Sequence, residues 1–273
     1  IDYRNKSFNI EEFSFKDVKD VNLKDSYSFT SHITVFEKCS LQYKFYKDLE
    51  FMPVRAGAMV FGRLVHETIE DIHRAALRNE IESITNENVE KWFDSNYDAI
   101  SKAEHSYLAE PQLSAALKQI LRYVDREKGN WHLIKQAEVD VSLVVPDYII
   151  EGKIDLIKGE NGTVEIVDFK SEKKPDLFDS EELMEQYKRQ LNLYAYLVEE
   201  RTGNEVSKMH LYYTGEEDGI PTITFPYKKT AIEETIKEFD VTVRKIINKE
   251  YGSCTTDYKI CKECDFRHYC LNK

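Results

Sequence analysis

No uninterrupted apolar run comes near the ~18 residues that a membrane span requires, which argues against a membrane-spanning chain. The first residues, Ile1-Asp2-Tyr3-Arg4-Asn5-Lys6, carry neither an initiator Met nor an apolar signal core. The expectation is a cytoplasmic piece of something longer. Internal repeats and low-complexity tracts are missing. So is a G-x-x-x-x-G-K-[ST] loop: Gly152-Lys153 is followed by Ile154 and lacks the upstream glycine. By that route the chain is no ATP-driven motor. Positive charge is also short, with 38 Lys and Arg against 50 Asp and Glu for a net charge of −12. That argues against a uniformly basic, histone-like surface. It leaves nucleic acid open, because phosphate affinity depends on where the basic side chains sit.

What is present suits a folded enzyme. The 273 residues are 41% apolar and 12% aromatic, enough for one or two domains that bury roughly three-quarters of the unfolded surface. Residues 1–27 carry eleven charged side chains without periodicity and read as a linker. Ser28 to Tyr46 reads as a helix. A second runs from about Ala58 to Leu77, with Phe61, Leu64, Val65, Thr68, Ile69, Ile72 and Ala76 at three-to-four spacing. A polar helical region follows over about 78–135, broken near Glu110-Pro111. The period then changes to two: Ala137 to Val145, Tyr148 to Lys158 and Thr163 to Phe169 read as three strands of an antiparallel meander. Asp179-Ser180-Glu181-Glu182 and Thr230-Ala231-Ile232-Glu233 read as capping boxes for helices to about Arg201 and Asn248. Between them, Lys208–Thr214 and Thr222–Phe225 read as strands. The predicted class is α/β, a mixed sheet flanked by helices.

The informative polar residues lie at strand ends of the meander. Asp155 and Asp168 flank the hairpin turn, and Lys170, two residues on, faces the same side as Asp168. Two carboxylates and a lysine on one face suit metal-assisted phosphodiester hydrolysis. Carboxylates hold Mg²⁺ or Mn²⁺ while leaving positions for water and phosphate, and an ammonium stabilises developing charge. A solvated strand face gives the same triplet, but Ile154, Ile166 and Val167 are apolar neighbours here. His66-Glu67-Thr68-Ile69-Glu70 brushes the zinc-protease pattern H-E-x-x-H, but Glu70 stands where the second histidine belongs.

Four of five cysteines crowd the C-terminal end. Cys261, Cys264 and Cys270 form C-x₂-C-x₅-C, with Cys39 about 220 residues upstream and Cys254 to spare. Four thiolates can close a Zn²⁺ site or hold an Fe–S cluster, and spacing alone does not choose.

Gly152-Lys153-Ile154-Asp155, twelve intervening residues and Asp168-Phe169-Lys170 together resemble the PD-(D/E)XK nuclease superfamily, above all its RecB-like branch. Gly62-Arg63-Leu64-Val65-His66 resembles that branch's early G-x-x-x-H, and Gln190-Leu191-Asn192-Leu193-Tyr194 its Q-x-x-x-Y. The resemblance covers residues 28–273 as one nuclease domain with a restriction-endonuclease-like core. It implies His66, Asp155, Asp168 and the Phe169 carbonyl as metal ligands, Lys170 as catalytic and Glu138 as a further active-site carboxylate. Gln190 and Tyr194 would position the DNA backbone or the lysine, and Lys173 and Lys174 would add phosphate attraction. Cys39, Cys261, Cys264 and Cys270 resemble the AddB-type staple that ligates a [4Fe–4S] cluster, with Zn²⁺ as the alternative. Tyr27 to Tyr46 resembles the junction where UvrD-like superfamily 1 helicases pass into a C-terminal nuclease. The resemblance thus implies a Mg²⁺- or Mn²⁺-dependent deoxyribonuclease, exonuclease rather than endonuclease, acting on single-stranded or duplex ends in DNA repair beside a helicase domain. A non-catalytic module that binds DNA ends or protein, and a CRISPR-associated RecB-like nuclease, are the alternatives.

Overall fold

The computed structural model describes residues 24–51, 57–160, 162–176, 180–252, 258–262 and 264–271. Among these, six strands form one mixed sheet: β1 Ser26–Ser28, β2 Ile134–Val144, β3 Ile149–Glu160, β4 Thr163–Lys170, β5 Glu205–Tyr213 and β6 Thr222–Pro226. β2, β3 and β4 are the expected antiparallel meander. β5 runs parallel to β4, which forces a crossover through a helix, and β6 returns antiparallel.

Helices cover both faces. On one side lie α3 Gly57–Leu77, α4 Asn86–Glu104 and α5 Glu110–Glu127. Their apolar stripes (Leu64, Ile69, Ile72, Phe93, Ile120, Tyr123) pack on Leu156, Val167 and Phe169. On the other lie α6 Glu181–Thr202, the β4–β5 crossover, and α7 Lys229–Ile247. There Leu193, Leu197, Val198, Phe239 and Val243 close over Ile150, Ile154 and Ile166. The apolar residues of the meander are therefore shared between two cores. Gly152 marks the closest approach of α6: a Cβ there would lie 2.9 Å from Leu197 and 3.0 Å from the Tyr194 ring.

The central strand β3 explains where a site can form. β2 pairs along it from Ile149 to Lys158. Its other edge is divided, with β1 parallel at Ile149–Glu151 and β4 antiparallel at Leu156–Glu160. Gly152 to Asp155 lie in the gap between them. At the same level the alternation of β2 and β3 slips. Val139 and Val141 face the α6 side while Ala137 faces the α3 side, and Ile154 and Leu156, also two apart, face opposite cores. Glu138 sits at the slip with a left-handed φ of 49°. A local irregularity of this kind re-aims side chains without changing the pairing on either side.

Several boundaries differ from expectation. Residues 1–23 of the expected linker lie outside the described residues, and Ser26 and Tyr27 already belong to β1. The helix expected over Ser28–Tyr46 is interrupted. Phe29–Ile33 and Lys44–Asp48 are wide π-type turns, and α1 Thr34–Lys38 and α2 Ser40–Tyr43 are separated by Cys39, whose backbone is extended. Ser180 precedes α6 without a side-chain cap, and Asp179 lies outside the described residues. The box at Thr230 is also not formed, because α7 has already begun at Lys229. Short helices α8 Tyr258–Lys262 and α9 Arg267–Leu271 end the described chain.

Candidate active site

Where β4 leaves β3, the carboxylate of Asp155 replaces the lost ladder contact: its Oδ2 accepts the Phe169 backbone N–H at 2.7 Å. The last paired residues before it are Leu156 and Val167, so Asp155 and Asp168 are the next opposed positions. From above, α3 lowers His66, whose Nδ1 lies 3.6 Å from Asp155 Oδ2 and whose ring stands edge-on to the Phe169 ring at 6.3 Å. From β2, the slip delivers Glu138. One ligand atom each from His66, Glu138 and Asp155 lie within 4.8 Å of one another.

Asp168 and Lys170 stand immediately behind. Lys170 Nζ is 2.7 Å from Asp168 Oδ2 and 4.1 Å from the centroid of the Tyr187 ring. Tyr187 is itself tied to Glu172 by a 3.1 Å hydrogen bond. Gln190 donates to Asp168 Oδ1 at 2.9 Å and to the Tyr194 hydroxyl at 3.0 Å. Behind the lysine, Thr214 N–H donates to the Lys170 carbonyl at 2.9 Å. The next residue, Gly215, packs so tightly that a Cβ would meet the Glu172 carbonyl carbon at 2.6 Å.

The expected residues thus fall into three groups. His66, Glu138, Asp155, Asp168, Phe169 and Lys170 converge. Gln190 and Tyr194 reach the same centre from inside, each 5% exposed, and Tyr194 also borders a neighbouring cleft. Of the two flanking lysines, Lys173 is exposed, whereas Lys174 Nζ is held by the Ile220 carbonyl at 2.9 Å.

Electrostatically, carboxylates outnumber ammonium groups at the centre: Glu70, Glu138, Asp155 and Asp168 stand against Lys153 and Lys170. Burial, and then the neighbouring Asp168, push the Asp155 carboxyl well above the usual carboxylate range. Burial likewise raises Glu138, and burial with Glu138 raises Glu70. Burial lowers His66, which favours the neutral imidazole that binds metals. Asp168 Oδ2, though ion-paired to Lys170, is buried without an aligned hydrogen-bond donor. A buried anionic oxygen with spare lone pairs, three converging donors of His and carboxylate type and a deficit of charge fit a divalent cation.

The centre opens into a cleft of about 560 Å³ lined by a stripe of α3 that the motif left unremarked: Arg63, Glu67, Glu70, Asp71 and Arg74. Their three-to-four spacing with His66 was the available signal. Tyr187 and Lys153 were also missed as site residues, since neither stands at a motif position of its own. At the chain's far side, Cys39, Cys261, Cys264 and Cys270 line one small cavity with Phe45 and Phe266. No disulfide joins these four, and Cys254 lies outside the described residues.

Comparison with known proteins bears on the family and the fold. The family model described as the PD-(D/E)XK nuclease superfamily matches residues 29–271. A Listeria welshimeri protein, described as one subunit of an ATP-dependent helicase/nuclease, is 26% identical over 214 residues, which is 70% of this chain and 16% of that protein. The chain therefore spans about a sixth of that relative's length. A solved structure from Eubacterium rectale, provisionally described as an exonuclease, superposes with a TM-score of 0.57 at 14% identity, covering 97% of this chain and 93% of that one. At that identity the likeness speaks for the fold. Among the described residues, no helix is long and apolar enough to cross a membrane.

Proposed function

The chain belongs to the PD-(D/E)XK nuclease superfamily, and from that premise we propose that it is a Mg²⁺- or Mn²⁺-dependent deoxyribonuclease that trims DNA ends or single strands, its activity coupled to a helicase motor in DNA repair. The observation that carries this reading is the convergence of His66, Glu138 and Asp155 within 4.8 Å, backed by the Asp168–Lys170 pair. In this reading His66, Asp155, Asp168 and the Phe169 carbonyl hold the cation, with Glu138 beside them. When bound, a divalent cation neutralises phosphate charge and lowers the pKa of an adjacent water.

The chain's own groups do the rest. Lys170 keeps an ammonium fixed between Asp168 and the Tyr187 face, where it opposes negative charge that grows on the phosphate in the transition state. Gln190 keeps Asp168 from rotating, and Tyr194 keeps Gln190 in place. Lys173 draws the polyanion toward the acidic surface. The helicase partner is inferred from the description of the Listeria relative. The four thiolates of Cys39, Cys261, Cys264 and Cys270 are assigned to a [4Fe–4S] cluster of structural role. Iron and sulfide at four each per chain support that assignment, and one zinc without iron removes it.

The test is cleavage of end-labelled single- and double-stranded DNA with and without Mn²⁺. Cation-dependent cleavage is expected in the parent and at least ~10³-fold less in Asp168→Ala and Lys170→Ala. Undiminished cleavage by both variants removes this site from the mechanism, and no cleavage by the parent on either substrate leaves a binding module instead.

A further inference from the structure

Positive charge is short in this chain, yet two arginines of α5 are turned toward the protein's own main chain. Gln119, Arg122 and Arg126 stand at three-to-four spacing on that helix and form one stripe. All three meet the turn between β5 and β6. Arg122 Nη1 donates to the carbonyls of Thr214 at 3.3 Å and Glu216 at 3.2 Å. Arg126 Nη1 and Nη2 donate to the carbonyls of Glu216 and Glu217, each at 2.9 Å. The Thr214 hydroxyl, in a residue 1% exposed, donates to Gln119 Oε1 at 2.9 Å. The Glu217 carboxylate approaches Arg122 only to 4.0 Å, so main-chain carbonyls and not acidic side chains engage the two guanidinium groups. A planar fork on carbonyls fixes orientation as well as distance.

The other side of the turn bears on the catalytic strand. β4 ends at Lys170, whose carbonyl accepts the Thr214 N–H at 2.9 Å. Beyond it, a Cβ on Gly215 would stand 2.6 Å from the Glu172 carbonyl carbon and 2.8 Å from the Lys173 nitrogen. Glu216 Oε2 accepts the Lys174 N–H at 3.3 Å, and Lys174 Nζ returns to the Ile220 carbonyl at 2.9 Å. These contacts set the path of residues 171–174. α5 in turn shares a core with α3, through Ala116, Ile120 and Tyr123 with Leu64 and Ile69. The clasp thus ties the helical layer that carries His66 to the end of the strand that carries Lys170.

We propose that Arg122 and Arg126 are positioning residues for phosphodiester hydrolysis: by gripping the main chain of 214–217 they seat Gly215 against the segment after Lys170 and so fix where that ammonium stands. The inference rests on the nuclease reading above and deepens it. The arginines act on the rate through Lys170 and make no contact with DNA.

The test compares the double variant Arg122→Gln, Arg126→Gln with Gly215→Ala and the parent. The double variant releases the turn, whereas Gly215→Ala displaces the same segment from within, at a residue whose φ an alanine can adopt. Should the double variant fail to fold, Gly215→Ala carries the same comparison. In Mn²⁺, kcat on single-stranded DNA should fall about 10- to 30-fold in both, with KM and its salt dependence unchanged within about two-fold. Titration calorimetry should give Mn²⁺ affinity within about two-fold of the parent, since His66, Glu138 and Asp155 lie on α3, β2 and β3. Amide hydrogen exchange should quicken about ten-fold at 170–174 and stay as in the parent at 155–160. A higher KM with a smaller salt slope at unchanged kcat would make the arginines phosphate contacts and overturns the inference. Unchanged kcat overturns it, as does parent-like exchange at 170–174. Loss of Mn²⁺ affinity together with kcat would show general loosening of the centre and equally overturns it. A parent that cuts neither single- nor double-stranded DNA fails the nuclease reading itself, a result separable from failure of the clasp, which hydrogen exchange decides.

Discussion

At the scale of single residues, the centre is backed by polar groups buried behind it. Gln190 bridges Asp168 and Tyr194 while buried in the α6 core. Replacing it with Met keeps the volume but removes the bond to Oδ1 that fixes the Asp168 carboxylate. We expect kcat to fall about 10- to 100-fold with KM for DNA nearly unchanged, because misorientation costs rate and leaves ground-state binding alone. Steady-state cleavage measures both, and a fall confined to KM would return Gln190 to the role of a DNA contact. His73 is a second such residue. It is 1% exposed, bonded to the Tyr123 hydroxyl at 2.7 Å, and burial depresses its pKa to about 3. A histidine with a lowered folded pKa contributes stability above its unfolded value near 6.5 and loses it as the pH falls toward 3. The slope is about 1.4 kcal/mol per pH unit in that window. Urea titrations at pH 7, 6 and 5 should therefore show His73→Gln losing less stability than the parent with acidification. Parallel losses would mean that His73 binds protons equally in both states.

At the scale of elements, the decisive feature is the slip shared by β2 and β3. A carboxylate is held in left-handed backbone within a strand, at the residue that faces Asp155. Glu138→Gly accepts that φ without a Cβ and removes a buried repulsion, so it should raise the melting temperature by about 2–4 °C while weakening Mn²⁺ binding. Calorimetry reads the first and titration the second; a fall in melting temperature would show that the Glu138–Lys153 ion pair, 2.6 Å long, outweighs the strain and repulsion relieved. The same slip limits what the sequence discloses. Alternation from Ala137 to Val145 is legible, and so are Asp155, Asp168 and Lys170 as residues, because period-two patterning and residue chemistry are local; Asp155, expected at a strand end, lies in the middle of β3, which runs to Glu160 beyond the point where β4 departs. A parity change in mid-strand is invisible to that pattern, since Glu138 already counts as an outward polar residue. β1 escapes as well: three residues, Ser26 to Ser28, are a strand only because β3 lies beside them. The break at Cys39 is hidden within a run whose apolar spacing suits one continuous helix.

At the scale of the whole molecule, the N-terminal and C-terminal segments are joined far from the catalytic cleft. Phe45 stacks on Phe266 at 4.2 Å, Tyr46 donates to Asp265 at 2.8 Å and Gln42 to Cys264 Sγ at 3.6 Å. Tyr251 adds a 2.6 Å bond to Asp48. These contacts bring Cys39 to Cys261, Cys264 and Cys270 around one cavity. The helices concerned are four or five residues long, too short to persist unaided. A group bound by all four thiolates would close a loop of about 220 residues, and the lost chain entropy sets an upper bound on the order of 5 kcal/mol for the gain. The sheet and its two cores do not require that closure, because β1 to β6 pair without the cysteine-bearing segments. Cys39→Ser should therefore lower the melting temperature by about 5–15 °C and expose 258–271 to proteolysis, while Mn²⁺ binding at the distant centre stays within about two-fold. Hydrogen exchange would locate the loss in 29–51 and 258–271 if the staple is a separable closure. Loss spread evenly through β3 and β4 would show instead that the staple and the catalytic sheet fold as one unit.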